Sequence, residues 1–342
     1  MKKYTILSFF IVKIFLVSAQ PVNTHGQLRV EGANIINQKG QKVLLKGVSL
    51  GWHNWWPEYY NAYVVENLTR KWKISVIRAV MGVDPAGGYI ESPNKSEKLI
   101  KTVIDAAIEN GIYVIVDWHS HDIYTEQAEL FFSVIAQQYA GHYNMIYEIF
   151  NEPKEGINWE EIKNYSIRII EAIRKYDKNN LIIVGTPNWS HDVNDVSKDP
   201  IEGYDNLVYS LHFYAASHDY VRYKAEIAIR KRLPMFVSEC SPSEADGDGE
   251  HNKKKFSEWL DFLIRNNISF VLWGLYDKEE SSAMLKPLTD NDDKLSISQL
   301  SKMGIYSKKI IRGGNNIYKI VFMFIAGLAA IFILLKFKKK TL

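Results

Sequence analysis

Two glutamates are the residues of this chain best suited to do chemistry. Glu152 comes just after the apolar, strand-like residues 145–150, and Pro153 ends that run because proline cannot donate to a strand ladder. Glu239 follows a second run of the same kind. Taken alone, Glu152 is as readily a solvated loop carboxylate as a catalytic group, and Glu148 within the same run is a rival candidate.

A pair of carboxylates is sufficient to hydrolyse a glycosidic bond. One protonates the leaving oxygen and the other attacks the anomeric carbon or activates a water, so their neighbours must keep one protonated and the other ionised. Arg78 is placed to hold Glu239 ionised, although a structural ion pair is the alternative for this arginine. His212 and Tyr214 could donate hydrogen bonds to the same site. Carboxyl groups roughly 5 Å apart predict retention of configuration, and a larger separation predicts inversion.

Strand-like and helix-like segments alternate along most of the chain, which predicts an α/β fold, a closed parallel (β/α)8 barrel. A short hairpin at residues 27–36 precedes the barrel and could close one end of it. An open doubly wound sheet is the competing fold, but it needs a glycine-rich phosphate turn that the sequence lacks. The predicted strands cover residues 43–48, 75–80, 113–117, 145–150, 181–184, 207–211, 235–237 and 270–273.

On such a barrel the fourth and seventh strands lie on roughly opposite sides of the mouth, so Glu152 and Glu239 can face each other across a bound sugar. This placement favours the catalytic interpretation of Glu152 over Glu148, which lies inside its predicted strand. Other polar and aromatic residues also fall at the predicted carboxyl ends of strands, and these are Arg78, His119, His121, Asn151, His212, Tyr214 and Trp273.

The histidines offer a rival chemistry, because His119 and His121 are one residue apart and could chelate a metal together with His212. No carboxylate-histidine motif with zinc spacing accompanies them in the sequence. We therefore predict no metal and no cofactor. His119 is expected to form a hydrogen bond with a sugar hydroxyl or to position the carboxylates. His121 is expected to support His119 from a position further from the reacting atoms.

The chain is rich in flat aromatic side chains, with nine Trp and twenty Tyr. Such rings suit ligands with apolar faces, such as sugars. We predict that Trp55, Trp189 and Trp273 stack on sugar rings, while other aromatic residues only pad the rim of the barrel.

These residues resemble glycoside hydrolase family 5, a family of clan-A retaining enzymes, and within it the bacterial endoglucanases. The resemblance covers about residues 27–310. It departs from the family pattern after Glu239, where Cys240 and Ser241 replace the usual aromatic-glycine pair. The motifs that carry it are residues 45–49 (LKGVS), 76–81 (VIRAVM), 87–90 (GGYI), 112–119 (IYVIVDWH), 146–153 (IYEIFNEP), 183–186 (IVGT), 210–215 (SLHFYA), 236–239 (FVSE) and 278–283 (KEESSA).

The resemblance implies a retaining endo-β-1,4-glucanase with Glu152 as acid/base and Glu239 as nucleophile. It implies that Asn151 binds the sugar 2-hydroxyl, and that Lys278 and Glu280 line the non-reducing side of the cleft. A β-mannanase or xyloglucanase of the same family remains open, because these enzymes share the carboxylates and differ at the rim. A catalytically silent glycan-binding barrel is the alternative from another functional class.

The two ends of the chain predict secretion and anchoring. Residues 1–19 have the basic, apolar and small-residue zones of a signal peptide, and residues 20–310 form the catalytic domain. After a short linker at 311–316, the apolar residues 317–335 make about 28 Å of helix, just enough to span a bilayer. The basic residues 336–342 are expected to stay cytoplasmic, which places the catalytic domain at the cell surface.

The composition excludes other classes of partner. The formal charge is only +3, and many of the positive residues lie in the C-terminal tail, so no basic face for nucleic acid is predicted. The single Cys240 excludes an intrachain disulfide. We expect a monomer that binds a β-glucan chain.

Overall fold

The computed structural model describes residues 20–287 and 299–313. The predicted signal peptide, membrane helix and basic tail lie outside these residues. Within the described part of the chain, no helix is both long enough and apolar enough to cross a bilayer. The last helix ends at Ile311, one residue into the predicted linker.

Eight parallel strands close into a barrel in sequence order, with the last strand paired to the first. The predicted (β/α)8 barrel is confirmed. Its strands are β3 (Lys46–Leu50), β4 (Val76–Gly82), β5 (Tyr113–His119), β6 (Met145–Glu148), β7 (Leu181–Val184), β8 (Leu207–Tyr214), β9 (Met235–Ser241) and β10 (Phe270–Leu275).

Helices cover the outside of the barrel and alternate with its strands. They are α1 (Pro21–His25), α2 (Ala62–Asn67), α3 (Pro93–Asn110), α4 (Thr125–Tyr139), α5 (Trp159–Arg174), α6 (Pro187–Ser190), α7 (Val193–Val196), α8 (Val221–Arg230), α9 (Lys253–Arg265) and α10 (Lys302–Ile311). A 3-10 turn (Pro57–Tyr59) precedes α2, and a π-helical turn (Leu68–Trp72) extends it.

The ends of the helices follow from local sequence. Asn158 begins α5 by accepting a hydrogen bond from the backbone of Glu161, whose side chain bonds back to Asn158. Gly111 ends α3 with φ of 65°, a left-handed conformation that glycine adopts without a steric penalty. Every residue of β4 and of β5 is buried, because both faces of a parallel barrel strand are covered.

The N-terminal hairpin closes one end of the barrel, as predicted. Its strands β1 (Arg29–Glu31) and β2 (Asn34–Ile36) pair antiparallel. Leu28 and Ile35 belong to one buried apolar cluster with barrel-strand residues such as Val76 and Ile146, which come early in their strands. The candidate site lies at the opposite end of the barrel, at the carboxyl ends of the strands.

Two strands run further than the sequence predicted. β8 continues to Tyr214 and β9 to Ser241, and their ladder pairs His212 with Glu239. The prediction that His212, Tyr214 and Glu239 follow their strands is therefore wrong, because the backbone keeps its ladder bonds while the side chains find partners: Tyr214 bonds Glu239, and His212 bonds Glu152. Arg78 likewise lies within β4, as its third residue.

Candidate active site

Arg78 occupies the centre of a buried polar cluster. Its side chain is fully buried, and its Nε donates to Glu148 at 2.7 Å. One terminal nitrogen lies 2.9 Å from Glu239, and the other lies 3.1 Å from Asp117. The second terminal nitrogen also donates to Asn151 Oδ1 at 2.7 Å. The Arg78–Glu239 pair that the sequence predicted is thus one contact of a guanidinium shared among three carboxylates.

Asp117 and Glu148 are members of this cluster that the sequence analysis missed. Both side chains are fully buried. The preference for Glu152 over Glu148 assumed that Glu148 lies inside its strand, and this assumption is wrong because Glu148 is the last residue of β6. The available signal was a charged residue inside an apolar run, because a buried charge requires a partner.

Glu152 lies after the end of β6 and is held by His212. The Nδ1 of His212 lies 2.8 Å from Glu152 Oε1. The other ring nitrogen, Nε2, lies 2.9 Å from the hydroxyl of Ser238 and 3.6 Å from Glu148. His212 therefore joins the candidate acid/base to the buried cluster around Arg78.

The hydrogen bonds of Ser238 restrict the protons of His212. The Ser238 hydroxyl donates to Glu148 at 2.5 Å, so Nε2 of His212 must be the donor toward Ser238. Nδ1 then has two states. Either it carries a proton and donates to ionised Glu152, or it accepts from protonated Glu152. The two states differ only by one proton moved across 2.8 Å.

The charges around this pair favour retention of that shared proton. Burial acts to lower the pKa of His212, but the nearby carboxylate of Glu148 and the hydrogen bond to Glu152 outweigh it and raise the pKa to about 9. Burial acts to raise the pKa of Glu152, but the hydrogen bond and charge of His212 leave it below its usual value. These opposite shifts favour the state in which His212 carries the shared proton.

Glu239 is the second carboxylate. The Tyr214 hydroxyl donates to its Oε1 at 2.6 Å, opposite the oxygen that faces Arg78. Burial, followed by the charge of Glu152, raises the pKa of Glu239, while Arg78, His212 and Tyr214 oppose the rise. Transfer of the shared proton from His212 to Glu152 removes both the like charge that raises the pKa of Glu239 and the positive charge that opposes this rise, so the three groups titrate as one unit.

The two glutamates lie close together. One carboxylate oxygen of Glu152, one of Glu239 and a ring nitrogen of His212 all lie within 4.8 Å of one another. This spacing fits the roughly 5 Å separation of retaining glycosidases and leaves no room for the intervening water that inverting enzymes hold.

The predicted rival metal site of His119, His121 and His212 is not assembled. In the described ranges the close group of three potential ligands is the one formed by Glu152, His212 and Glu239. Its donor atoms are engaged, since Arg78 already pairs with Glu239 and His212 with Glu152. A metal cation there would lie against the buried guanidinium, so this donor set does not fit one.

His119 and His121 have separate surroundings. His119 is buried, and its Nδ1 lies 2.7 Å from Asp117. Burial, and then the charge of Arg78, lower the pKa of His119 well below its usual value. The neutral ring donates through Nδ1 to Asp117, which leaves Nε2 as an acceptor. His121 Nδ1 lies 3.2 Å from the backbone oxygen of Glu152 and so contacts the loop after β6 directly.

The predicted stacking residues differ in exposure. Trp55 is 52% exposed, with one face against Trp52 at a centroid distance of 4.6 Å. Trp189 is 38% exposed and lies 5.0 Å from His121. Trp273 is only 7% exposed and stacks on His119 at 5.7 Å, so it presents little surface.

An unusual backbone segment fixes Trp189. Asn188, Trp189 and Ser190 all have φ near 60°, which is uncommon for residues other than glycine. The backbone N–H of Trp189 donates to Pro153 at 2.8 Å, and Ser190 Oγ donates to the backbone oxygen of Asn151 at 2.8 Å. These bonds tie the loop after β7 to the loop that carries Glu152.

Lys278 and Glu280 form an ion pair beyond β10. Glu280 also accepts from the Tyr276 hydroxyl at 2.5 Å, and the Tyr276 ring stacks on Trp56 at 4.6 Å. Lys278 remains more than half exposed. The pair therefore lies on the β10–β3 side of the mouth, beside the first aromatic loop.

The sequence profile described as "Cellulase (glycosyl hydrolase family 5)" matches residues 36–279. The chain belongs to glycosyl hydrolase family 5. The resemblance noted from its motifs is confirmed. An endoglucanase from Clostridium saccharobutylicum is 39% identical over 297 residues, which cover 85% of this chain and 66% of that protein. The chain therefore spans about two thirds of the length of this relative.

Solved structures agree with the family 5 assignment. One from Cytophaga hutchinsonii superimposes with a TM-score of 0.84 at 35% identity, covering 88% of this chain and 99% of that one. The catalytic domain of an endoglucanase from Thermobifida fusca, in complex with cellotetraose, has a TM-score of 0.82 at 30% identity. That match covers 86% of this chain and 99% of the other.

The departure from the family pattern after Glu239 leaves the site intact. Cys240 is buried, and its thiol donates to the backbone oxygen of Val271. Ser241 is also buried and bonds Ser243 at 2.9 Å. In this family 5 domain the two residues fill the end of β9 without contacting Arg78.

Proposed function

We propose that this family 5 chain is a retaining endo-β-1,4-glucanase that cleaves cellulose or soluble β-glucan. The observation that carries the proposal is the placement of Glu152 and Glu239 oxygens within 4.8 Å, with separate partners for each carboxylate. Relatives named endoglucanase, and the cellotetraose bound to the Thermobifida fusca domain, support this substrate class.

The first step forms a bond between Glu239 and the anomeric carbon while the bond to the leaving oxygen breaks. Glu152 gives its proton to that oxygen, having received it from His212 across their hydrogen bond. In the second step Glu152 takes a proton from water, the water oxygen bonds to the anomeric carbon, and Glu239 leaves. Two inversions at one carbon give net retention.

Neighbouring side chains hold the reacting groups in place. Arg78 and Tyr214 bond different oxygens of Glu239 and fix its orientation. Asn151 turns its Oδ1 toward Arg78, and its Nδ2 is buried with no partner among the described residues. We assign this free amide to the sugar 2-hydroxyl, and the acceptor Nε2 of His119 to another sugar hydroxyl.

Chemical rescue tests the two roles. Glu239→Ala should lose activity and regain part of it in azide, giving a glycosyl azide of inverted configuration. Glu152→Ala should remain active on substrates with good leaving groups and yield an azide of retained configuration. A glycosyl azide of inverted configuration from the Glu152 variant would mean that the two roles are exchanged. A chelator should leave the activity of the wild type unchanged, which tests the metal alternative.

The specificity for a polymer depends on the rim. We assign sugar stacking to Trp55, Trp189 and the small exposed part of Trp273, and hydroxyl binding to Lys278 with Glu280. A product profile on cellulose, mixed-linkage glucan, mannan and xyloglucan tests this assignment. Preferred release of mannose or xyloglucan oligosaccharides would favour the mannanase or xyloglucanase alternative, and binding without turnover would favour a glycan-binding barrel.

We further propose that the enzyme is a monomer secreted through residues 1–19 and anchored by residues 317–335, with the barrel outside the cytoplasm. The support is the apolar character of both segments and the basic residues 336–342. Membrane fractions of expressing cells should retain the activity after an alkaline carbonate wash, and added protease should reach it in intact cells. Activity confined to the cytosol would contradict this topology.

A further inference from the structure

We propose that Glu148 is a positioning residue that anchors the imidazole of His212 through Ser238, and so sets the pH up to which the His212–Glu152 pair keeps the proton for acid catalysis. This inference rests on the proposed function, because it concerns the acid step of that reaction. Glu148 does not approach the reacting atoms in the mechanism above.

The geometry gives Glu148 this connection. It is the last residue of β6, and its side chain is fully buried. One oxygen accepts from Arg78 at 2.7 Å, and the other accepts from the Ser238 hydroxyl at 2.5 Å. Because that hydroxyl proton is used on Glu148, the Ser238 oxygen is free to accept from His212 Nε2 at 2.9 Å.

The resulting chain of hydrogen bonds has a fixed direction. His212 Nε2 can only donate, so any proton exchanged with Glu152 passes through Nδ1. The carboxylate of Glu148 lies 3.6 Å from Nε2 and favours a positive ring. Glu148 is therefore the buried anion that stabilises the protonated His212 from the side opposite Glu152.

Other charged groups also face His212 and set the background for this effect. Glu152 and Glu239 favour the charged ring and raise its pKa together with Glu148, against burial. The charge of His212 in turn acts to lower the pKa values of His119 and His191, after burial and other cationic neighbours. Arg78 and Asp117 belong to the same cluster, and Arg78 partly offsets the charge of Glu148.

Glu148→Gln keeps the shape of the side chain and removes its charge. The His212–Glu152 pair should then lose its shared proton at a lower pH, so the basic limb of the kcat/KM profile shifts to lower pH. A hydrogen bond to a charged group corresponds to about one to two pH units. Activity well below the limb should persist, because less charge stabilisation of His212 leaves more of the shared proton on Glu152.

The experiment compares kcat/KM with pH for the full chain, using an aryl β-cellobioside with a poor leaving group and a dinitrophenyl β-cellobioside. The dinitrophenyl substrate needs no acid catalysis, so Glu148→Gln should lower kcat/KM only for the substrate with the poor leaving group. At one pH unit above the shifted basic limb, that loss should be roughly tenfold. Asp177→Asn is the matched control. This buried carboxylate accepts from Tyr147 at 2.8 Å near the start of β7, away from the site.

Ser238→Ala breaks the chain of bonds and leaves Glu148 in place, so it should move the basic limb in the same direction by a smaller amount. It also carries the test if Glu148→Gln does not fold. An unmoved limb in the folded variant, or an equal loss on both substrates, would show that Glu148 is only structural and would overturn the proposal.

An NMR titration of the His212 ring separates this inference from the proposed function. The ring signal, assigned by its loss in His212→Asn, should titrate at a lower pH in Glu148→Gln than in the wild type. If the wild type cleaves no β-glucoside, the proposed function fails while this titration still decides the role of Glu148. An unchanged titration would overturn the inference even in an active enzyme.

Discussion

Replacing Arg78 by methionine removes the guanidinium that three buried carboxylates share while keeping much of the side-chain volume. In the wild type the guanidinium contacts Asp117, Glu148 and Glu239 at 3.1, 2.7 and 2.9 Å. Breaking a single buried pair costs about 3–5 kcal/mol, because a charge is left without compensation. Since three carboxylates lose their partner here, we expect Arg78→Met to lie at the upper end of that range.

The loss should depend on pH in a defined direction. Burial acts to raise the pKa of Glu148, but the charge of Arg78 and then the nearby ring of His212 lower it to about 2. A group with a lowered folded-state pKa contributes stability that is present above its unfolded pKa, about 4.3, and is lost as pH falls toward 2. In the variant, the folded state is most stable when the buried carboxylates are protonated. The difference in stability between the variant and the wild type should therefore become smaller as the pH falls below about 5.

Thermal unfolding of the full chain measures this effect. At roughly 2 °C per kcal/mol for a domain of this size, a loss at the upper end of that range lowers the melting temperature of Arg78→Met by about 10 °C at pH 7. Arg168→Met is the control, because Arg168 pairs with Glu126 and Glu129 while about half exposed, and such pairs contribute less than about 1 kcal/mol. A loss at Arg78 no larger than at Arg168, or a gap that does not change with pH, would refute the reasoning.

Three other predictions concern the cleft. Asn151→Ala should lower kcat/KM on cellooligosaccharides by roughly 10-fold or more through loss of a hydrogen bond, and the loss should disappear on a 2-deoxy substrate, which steady-state kinetics can compare. Trp55→Ala should raise KM for long β-glucans by about 2- to 12-fold, the equivalent of about 0.5–1.5 kcal/mol of aromatic contact, with little change in kcat. The matched change Tyr176→Ala, at a residue 41% exposed beyond the end of α5, should leave KM unaltered, and an equal effect at both positions would argue against stacking. Tyr214→Phe should lower kcat/KM by about tenfold or more, because Glu239 loses a 2.6 Å hydrogen bond to one oxygen, and kinetics equal to the wild type would exclude that role.

The barrel and its mouth could be predicted from the sequence because they depend on features that repeat. The alternation of strand-like and helix-like runs identified the eight strands, and the polar residues near their ends identified Glu152 and Glu239. Pro153 fixed the end of the fourth strand correctly to within a few residues, since it cannot join a ladder.

The sequence could not predict how far each strand continues, or where along the barrel each side chain lies. β8 and β9 continue through His212 and Glu239 because their backbones keep pairing, and no local signal opposes this. The position of Glu148 along its strand does not show the direction in which its side chain faces. Its pairing with Arg78 joins β6 to β4, a contact between segments 70 residues apart that periodicity does not encode.

The stereochemistry of the first product tests the central claim most directly. Proton NMR of a β-cellobioside digest, recorded before the sugar mutarotates, distinguishes the two anomers. The close approach of Glu152 and Glu239 predicts that the β-anomer forms first. Initial release of the α-anomer would contradict double displacement and the roles assigned to both glutamates.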